Sequence, residues 1–169
     1  MALIMERLAT LYIDKERHKF SAAHFTIFSA TDRERLHGHN YSVSARILAP
    51  MGASGFSADY NVYKRRIATL CQALDEYLLL AADSPHLKIS EEGEYYRVQY
   101  NRENMLFLRS DTLLLPVINA TIEEFSHYLL GRLLALSEGD DLREVDLCVS
   151  SGAGQTACAS WRKSSGSTV

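Results

Sequence analysis

Two histidines separated by one glycine, His37-Gly38-His39, form the sequence feature that most restricts how this chain can fold. In an extended strand, side chains at positions i and i+2 project from the same face, so this segment can present two imidazoles side by side. His24 must approach from a neighbouring strand to complete a group of three. Three neutral imidazoles leave the fourth position of a tetrahedral zinc ion open for water or substrate, as in catalytic zinc sites. The sequence therefore predicts two adjacent strands that together bind zinc; the alternative is a histidine-bearing strand face that binds no metal.

Composition restricts the remaining classes of protein. The chain has 169 residues, 47% hydrophobic and 23% charged, which suits one globular domain with a sizeable core. A net charge of −3 gives no electrostatic basis for binding nucleic acid. No apolar run reaches the roughly 18 residues of a membrane span, and the N-terminus lacks a signal-peptide pattern. We expect a cytoplasmic protein without a nucleic-acid or membrane partner.

The three cysteines, Cys71, Cys148 and Cys158, include no C-x-x-C pair. An odd number of cysteines argues against a disulfide framework. We therefore expect all three to be buried thiols that pack as small hydrophobic residues in a reducing compartment.

Hydrophobic periodicity predicts two strands, a helix, a variable insert, a second helix and two final strands. The predicted elements are strands at 10–20 and 40–48, a helix from 58 to the Asp83-Ser84-Pro85 stop, a helix from Thr121 to Gly139, and strands at 144–149 and 157–161. Within the insert, residues 95–100 are predicted to form a hairpin with the stretch near 106–107, and residues 113–117 to run alongside. Residues 162–169 are expected to be a frayed tail.

This order of elements predicts an α+β fold in a single domain, with a core at about residues 8–161. A four-stranded antiparallel sheet with both helices on one face would bury the apolar stripes of the helices. Its open edges indicate association into a homo-oligomer.

Five short motifs in this order resemble the 6-pyruvoyl-tetrahydropterin synthase and 6-carboxy-tetrahydropterin synthase family. They are F-S-A-A-H at 20–24, H-G-H-N-Y at 37–41, D-Y-x-x-Y-K at 59–64, L-D at 74–75 and T-x-E at 121–123. The resemblance implies the tunnelling fold in β-β-α-α-β-β order and trimers that stack into hexamers. It also implies one zinc per subunit held by His24, His37 and His39, and 7,8-dihydroneopterin triphosphate as the substrate.

The resemblance fails at the position of the catalytic base. Family members place a cysteine in C-x-x-L-H-G-H, and Arg33 stands at that position here. A guanidinium stays protonated and cannot accept a proton, although it can bind a substrate phosphate. Some branches of the family use a glutamate instead, which makes Glu34 the candidate base. The alternative is a solvated loop glutamate paired with Arg33 or Arg35.

The family's acid-base pair, read from an L-D-H triplet, is also changed. Here the triplet is Leu74-Asp75-Glu76, so Asp75 is present and Glu76 replaces the histidine. Glu76 could transfer protons in its place only if burial raised its pKa towards neutrality. Asp75 could orient a metal-bound histidine, and a helix-surface aspartate is the alternative.

Recognition of the pterin ring is the third point of departure. The family grips the ring with a glutamate in a final V-x-x-E strand, and Ser151 is the best match to it. A hydroxyl lacks the bidentate, charged contact of a carboxylate, and the Gln155 amide is a possible neutral substitute. Thr121 and Glu123 lie in a T-x-E motif, and the resemblance implies that this motif contacts the pterin. Glu123 could equally be a first-turn carboxylate that favours the helix dipole.

Two functions remain open from the sequence. The first is a zinc-dependent lyase that acts on dihydroneopterin triphosphate or a related heterocycle with non-standard acid-base residues. The second is a zinc-containing oligomer, a trimer or hexamer, that binds such a ligand without converting it. Retention of all three histidines favours the enzyme, because a purely structural zinc normally has four protein ligands.

Overall fold

The computed structural model describes residues 6–164, which form two sheets and two α-helices. In chain order the elements are β1 (Leu8–His24), β2 (His37–Pro50), α1 (Tyr60–Gln72), β3 (Tyr77–Ala81), β4 (Leu87–Glu92), β5 (Tyr95–Tyr100), β6 (Glu103–Leu108), β7 (Thr112–Leu115), α2 (Ile122–Leu136), β8 (Glu144–Gly152) and β9 (Gln155–Arg162). A single 3-10 turn, Arg109–Asp111, joins β6 to β7. Residues 165–169 of the predicted frayed tail lie outside the described residues.

The larger sheet has six strands in the order β7-β3-β1-β2-β8-β9. The predicted four strands are present as β1, β2, β8 and β9, and each is antiparallel to its neighbour. The prediction of a four-stranded, wholly antiparallel sheet is nevertheless wrong. Two further strands, β3 and β7, extend the sheet beyond β1 with parallel pairing.

The α+β class and the two helices are confirmed, and both helices pack on one face of this sheet. One core cluster joins Tyr63 and Ile67 of α1 and Phe125 of α2 to inward-facing strand residues such as Val145 and Leu147. All five are 3% exposed or less. Burial of these apolar stripes supplies most of the stabilisation of both helices, since short helices are marginal on their own.

The first helix is shorter than its apolar spacing predicts. It ends at Gln72, and the four residues Leu78–Leu79–Leu80–Ala81 lie in β3, all of them buried. A strand covered on both faces has a continuous apolar run, which periodicity cannot separate from a buried helix segment. The chain turns between the two elements at Glu76, whose φ of 66° is in the left-handed region and whose N–H donates to the Ser21 carbonyl at 2.7 Å.

The insert between β3 and β7 folds as a separate three-stranded sheet, β4-β5-β6, called here the insert sheet. The predicted hairpin is confirmed, with Tyr96 opposite Phe107. Residues 113–117 do not run beside it, because β7 pairs with β3 in the larger sheet. One face of the insert sheet packs against Phe25 and Ile27 in a second apolar cluster.

A disulfide joins Cys148 of β8 to Cys158 of β9, so the prediction of three buried thiols is wrong for these two residues. The two cysteines are direct partners in the hairpin register, and Cys158 is exposed rather than part of the core. An odd cysteine count does not reveal pairing that depends on strand register. The prediction is correct for Cys71, which is free and 1% exposed, and burial raises the pKa of its thiol to about 12.

No helix within residues 6–164 is long and apolar enough to cross a membrane.

Candidate metal centre and active site

The three predicted histidines converge at one end of the β1–β2 pair. His24 lies directly opposite His37, and Ala22 lies opposite His39. Ring centroids are separated by 4.7 Å for His24 and His37, 5.3 Å for His24 and His39, and 4.8 Å for His37 and His39. On β2 the two histidines continue the inward-facing row that includes buried Tyr41, at the point where this row leaves the core.

Gly38 allows the two strands to approach closely at this point. A Cβ atom built on Gly38 would lie 3.3 Å from the carbonyl oxygen of Ala22, which is tighter than most real Cβ contacts. A larger residue would therefore push β1 and β2 apart beside the histidines.

Backbone carbonyls orient two of the imidazoles. His24 Nδ1 lies 2.7 Å from the Ala120 carbonyl oxygen, and His37 Nδ1 lies 2.7 Å from that of Arg35. Donation from each Nδ1–H leaves the Nε2 lone pair available, which is the arrangement typical of metal-bound histidines.

The remaining ring nitrogens fit a metal ion. One nitrogen from each histidine lies within 4.8 Å of the other two, and the Nε2 atoms of His37 and His39 are 3.0 Å apart. Ligand nitrogens of a tetrahedral zinc are about 3.3 Å apart, given bonds of about 2.0–2.1 Å. The Nε2 atom of His24 is buried without a hydrogen-bond partner, although buried polar atoms normally have one. The donor set and this orphaned atom both suit zinc.

Burial lowers the pKa of His24, and its proximity to His37 and His39 adds to that effect. The hydrogen bond with Ala120 and the charge of Glu34 oppose the shift without reversing it. His24 is therefore neutral at physiological pH, which is the state that a metal requires.

Glu34, the predicted base, lies beside this centre. Its Oε2 is 3.9 Å from His37 Nε2 and accepts a hydrogen bond from the Thr26 N–H at 3.0 Å. Burial would raise the pKa of this carboxyl, but the Thr26 hydrogen bond and the nearby imidazoles outweigh burial and lower it. Glu34 is consequently ionised at neutral pH.

Arg33, the predicted phosphate ligand, is directed into the insert sheet. Its Nη2 and Nε lie 2.5 and 3.1 Å from Glu103 Oε2, and its guanidinium carbon lies 5.2 and 5.5 Å from the ring centroids of Phe25 and Tyr100. Only 19% of the side chain is exposed. The Arg33 guanidinium, which the sequence suggests could bind a substrate phosphate, is therefore already bound to protein groups.

Asp75 and Glu76 lie in the turn between α1 and β3, next to Ser21 of β1. Asp75 Oδ1 accepts a hydrogen bond from the Ser21 N–H at 2.7 Å, which fixes the turn against β1. Glu76 lines an open cavity of about 460 Å³ whose wall also includes His39. Glu76 therefore shares this cavity with His39, whereas His24 and His37 do not line it. The carboxylate of Asp75 accepts a backbone hydrogen bond instead.

The T-x-E residues lie at the start of α2. Thr121 is the N-cap of this helix, and its hydroxyl accepts from the Glu124 N–H at 3.4 Å. Its neighbour Ala120 supplies the carbonyl that orients His24. Glu123 is exposed in the first turn of the helix.

Ser151 and Gln155 occur together in the β8–β9 hairpin. The Ser151 hydroxyl donates to the Gln155 amide oxygen at 3.1 Å. Because Ser150 pairs with Ser42 of β2, this hairpin ends at the same end of the sheet as the histidines. The two predicted pterin contacts thus share one location.

Two residues that help to form the candidate site, Asn119 and Asp111, were not predicted from the sequence. Asn119 binds the backbone of Ile27 twice, accepting from its N–H at 3.0 Å and donating to its carbonyl at 2.8 Å. Asp111, from the 3-10 turn after the insert sheet, lines the same cavity as Glu76 and His39. No motif marks either residue, because both act through contacts between segments distant in sequence.

Comparisons with known proteins agree with this geometry. A family model described as 6-pyruvoyl tetrahydropterin synthase matches residues 12–160. A Methanocaldococcus jannaschii protein, whose provisional name is 6-carboxy-5,6,7,8-tetrahydropterin synthase, is 23% identical over 83% of this chain and 88% of its own.

Solved structures show the same fold. The Plasmodium vivax 6-pyruvoyl tetrahydropterin synthase superimposes with a TM-score of 0.87 and 26% identity, covering 94% of this chain and all of its own. A variant of that enzyme, in which alanine replaces a glutamate described as a catalytic residue, gives a TM-score of 0.88 at 24% identity with the same coverage.

Proposed function

The chain belongs to the 6-pyruvoyl tetrahydropterin synthase family, and we propose that it is a zinc-dependent lyase acting on 7,8-dihydroneopterin triphosphate or a closely related pterin. The observation that carries this proposal is the convergence of His24, His37 and His39, with the Glu34 carboxylate 3.9 Å from His37. Membership of the family supports the coarser assignment to pterin-related lyases.

His24, His37 and His39 are the proposed zinc ligands. Bound zinc would hold the hydroxyls of the substrate side chain and favour removal of a proton from the adjacent carbon. The carbonyls of Ala120 and Arg35 keep the His24 and His37 rings in the orientation that ligation needs. These carbonyls fix the tautomer as well as the ring plane.

Glu34 is the proposed general base. It is ionised at neutral pH, and the Thr26 N–H fixes one of its oxygens beside the histidines. A carboxylate in this position can accept the proton from carbon, whereas Arg33 cannot. The catalytic glutamate in the Plasmodium vivax relative supports this choice.

The proposed ligand pocket is the cavity beside His39. Glu76 lines it and is the candidate partner in proton transfer. Asp75 supports it by holding the turn against Ser21. Thr121, Glu123, Ser151 and Gln155 remain candidates for contacts with the heterocycle.

We further propose that the protein forms a trimer or hexamer. Strand β9, Gln155–Arg162, is an edge strand of the larger sheet and leaves one row of backbone groups available for pairing. Light scattering coupled to size-exclusion chromatography measures the mass of the assembly directly, and a monomer at micromolar concentration would contradict this proposal.

The deciding experiment incubates zinc-loaded protein with 7,8-dihydroneopterin triphosphate and follows pterin products and released triphosphate by chromatography and mass spectrometry. We expect turnover that falls about 100- to 10,000-fold in Glu34→Gln, the range associated with general base catalysis. Glu94→Gln, an exposed glutamate in the β4–β5 turn, is the matched control. No turnover by a protein that binds zinc and pterin would favour the non-catalytic binding function instead.

A further inference from the structure

Arg33 lies in a site built from the insert sheet. Its Nε and Nη2 atoms both donate hydrogen bonds to Glu103 Oε2, and its guanidinium lies near the rings of Phe25 and Tyr100. A planar group that pairs through two nitrogens and also contacts aromatic rings is specific to arginine, because lysine offers only a point charge. The Arg33 side chain is 19% exposed and that of Glu103 is 56% exposed, so water reaches the ion pair from the Glu103 side.

The Arg33 side chain also contacts the backbone of the proposed base, Glu34. Arg33 Nη1 donates to the Glu34 carbonyl at 2.9 Å, and the Tyr100 hydroxyl donates to the Ser29 carbonyl at 2.9 Å. The Tyr100 hydrogen bond and the Arg33–Glu103 ion pair tie the segment between β1 and β2, residues 25–36, to the insert sheet, whereas the Arg33–Glu34 hydrogen bond lies within that segment. We call this segment the base loop.

Within the base loop, Thr26 holds the Glu34 carboxylate, since the Thr26 N–H donates to Glu34 Oε2 at 3.0 Å. The base loop has one isolated bridge, between Ile27 and Arg33, and Glu34 N–H donates to the Thr26 carbonyl at 2.8 Å. Asn119 secures the loop at Ile27, on the side of α2. Arg33, which directly precedes Glu34, is the residue that links this part of the loop to the insert sheet.

We propose that Arg33, clamped by Glu103 and Tyr100, is a positioning residue that holds the Glu34 carboxylate against the metal-binding histidines. The insert sheet thereby sets the geometry of the reaction without touching the substrate. This inference rests on the proposed function, because it assigns Arg33 an effect that acts through Glu34.

A displaced base slows chemistry without preventing metal binding. Misplacing a reacting group by about 1 Å can cost about 100-fold in rate. The histidines are held by the β1–β2 register, and His24 also by the Ala120 carbonyl, none of which lies in the base loop; only the Arg35 carbonyl beside His37 belongs to it. Loss of the clamp should consequently lower kcat and leave the zinc content unchanged.

The experiment compares Arg33→Met with Arg97→Met. Arg97 also forms an ion pair within the insert sheet, with Glu92, and among the described residues it has no hydrogen bond or ion pair with the base loop. We expect kcat of Arg33→Met to fall about 10- to 100-fold, with KM changed less than about threefold and one zinc per subunit retained. Arg97→Met should behave like the unmodified protein, and Arg33→Lys should lie between the two.

A structural readout accompanies the kinetics. Hydrogen exchange followed by mass spectrometry should show faster exchange in residues 25–36 of Arg33→Met, with exchange in β2 unchanged. Tyr100→Phe removes one hydroxyl only and should give a smaller change of the same kind, which keeps the test informative if Arg33→Met folds poorly.

A double-mutant cycle separates this inference from the proposed function. In a Glu34→Gln background, Arg33→Met should have no further effect on kcat, because the two residues act as one unit. Full activity of Arg33→Met, or additive losses in the double variant, would overturn the positioning role while leaving Glu34 as the base. Full activity of Glu34→Gln would overturn both.

Discussion

The two ends of the β1-β2-β8-β9 part of the sheet differ in whether their side chains have bonding partners within the protein. At the histidine end, His24 Nε2 is buried without a partner and two further imidazoles face it. Towards the other end, the outward-facing groups of β8 and β9 are paired: a disulfide joins Cys148 to Cys158, and Asp146 accepts from Arg46 and Arg162.

This contrast separates function from stability. Groups left without partners are costly to folding unless a ligand satisfies them, so the histidine end is suited to binding. Groups paired across strands rigidify the sheet, and their bonding atoms are not available to a ligand. Substitutions at the histidine end should thus change metal binding more than folding, and substitutions at the paired end should do the reverse.

The largest effect is expected from His39→Ala. This change removes one proposed zinc ligand while both backbone carbonyls that bind His24 and His37 keep their partners. Zinc affinity should fall by more than about 100-fold, beyond the 10- to 100-fold typical of outer-shell changes. Competition with a chromogenic chelator measures it. The metal-free protein should unfold at nearly the same denaturant concentration as the unmodified protein, and a large loss of its stability would contradict the contrast.

Removal of the disulfide should affect stability alone. The bridge closes a loop between residues separated by 10 positions, for which the chain-entropy model gives about 2–3 kcal/mol in the free energy of unfolding. Chemical denaturation of the Cys148→Ser, Cys158→Ser double variant checks this value. Zinc stoichiometry should be unchanged, and loss of zinc from this variant would show that the two ends are coupled.

A smaller effect is expected from the Asp146 cluster at low pH. Burial raises the pKa of Asp146, but hydrogen bonds from Ser160, Arg162 and Arg46 together outweigh it and lower the pKa to about 2. A lowered pKa stabilises the fold above the ordinary value near 3.8, and this contribution disappears as the pH falls towards 2.

The expected size of that contribution is about 1–2 kcal/mol, less than the full shift because the side chain is partly exposed. Urea denaturation of Asp146→Asn between pH 2 and pH 6 measures it. The variant should be less stable than the unmodified protein at pH 6, and the two should converge near pH 2. Parallel curves across the whole range would exclude this role for Asp146.

The smallest effect is expected from Gly38→Ala. The added Cβ would meet the Ala22 carbonyl at 3.3 Å and shift β1 by a few tenths of an ångström beside the histidines. Zinc affinity should fall roughly three- to tenfold, about 1 kcal/mol. Gly131→Ala in α2, where a Cβ meets nothing within 4 Å, is the control and should retain full affinity. Equal affinities in the two variants would show that the approach of the strands at Gly38 is not needed.

Much of the fold was predictable because it follows local periodicity. The four antiparallel strands, the start of α2 at Thr121 and the insert hairpin all agree with the pattern of apolar residues and turns. The boundary between α1 and β3 was not predictable, since Leu78–Ala81 have the same apolar character in a buried strand as in a helix. Parallel pairing of β3 with β1 and β7 is a long-range event that leaves no local signal.

The candidate site divides in the same way. His37 and His39 share a strand face by geometry alone, and His24 joins them through the β1–β2 register. Glu34 was weighed against a solvated loop role, and only the folded base loop brings it within 3.9 Å of His37. The orientation of Arg33 towards the insert sheet depends on Glu103 and Tyr100, which lie about 70 residues further along the chain.

The sequence by itself determined the composition of the candidate metal site and the strands that carry it, because a two-residue repeat fixes which side chains share a face. Tertiary structure alone decided which side chains have partners and which do not. Cys148 and Cys158 pair in a disulfide and Arg33 pairs with Glu103, whereas the His24 Nε2 atom is left without a partner. The physical reason is that partners for such groups come from distant segments, and their hydrogen bonds and ion pairs exist only after the sheets have packed.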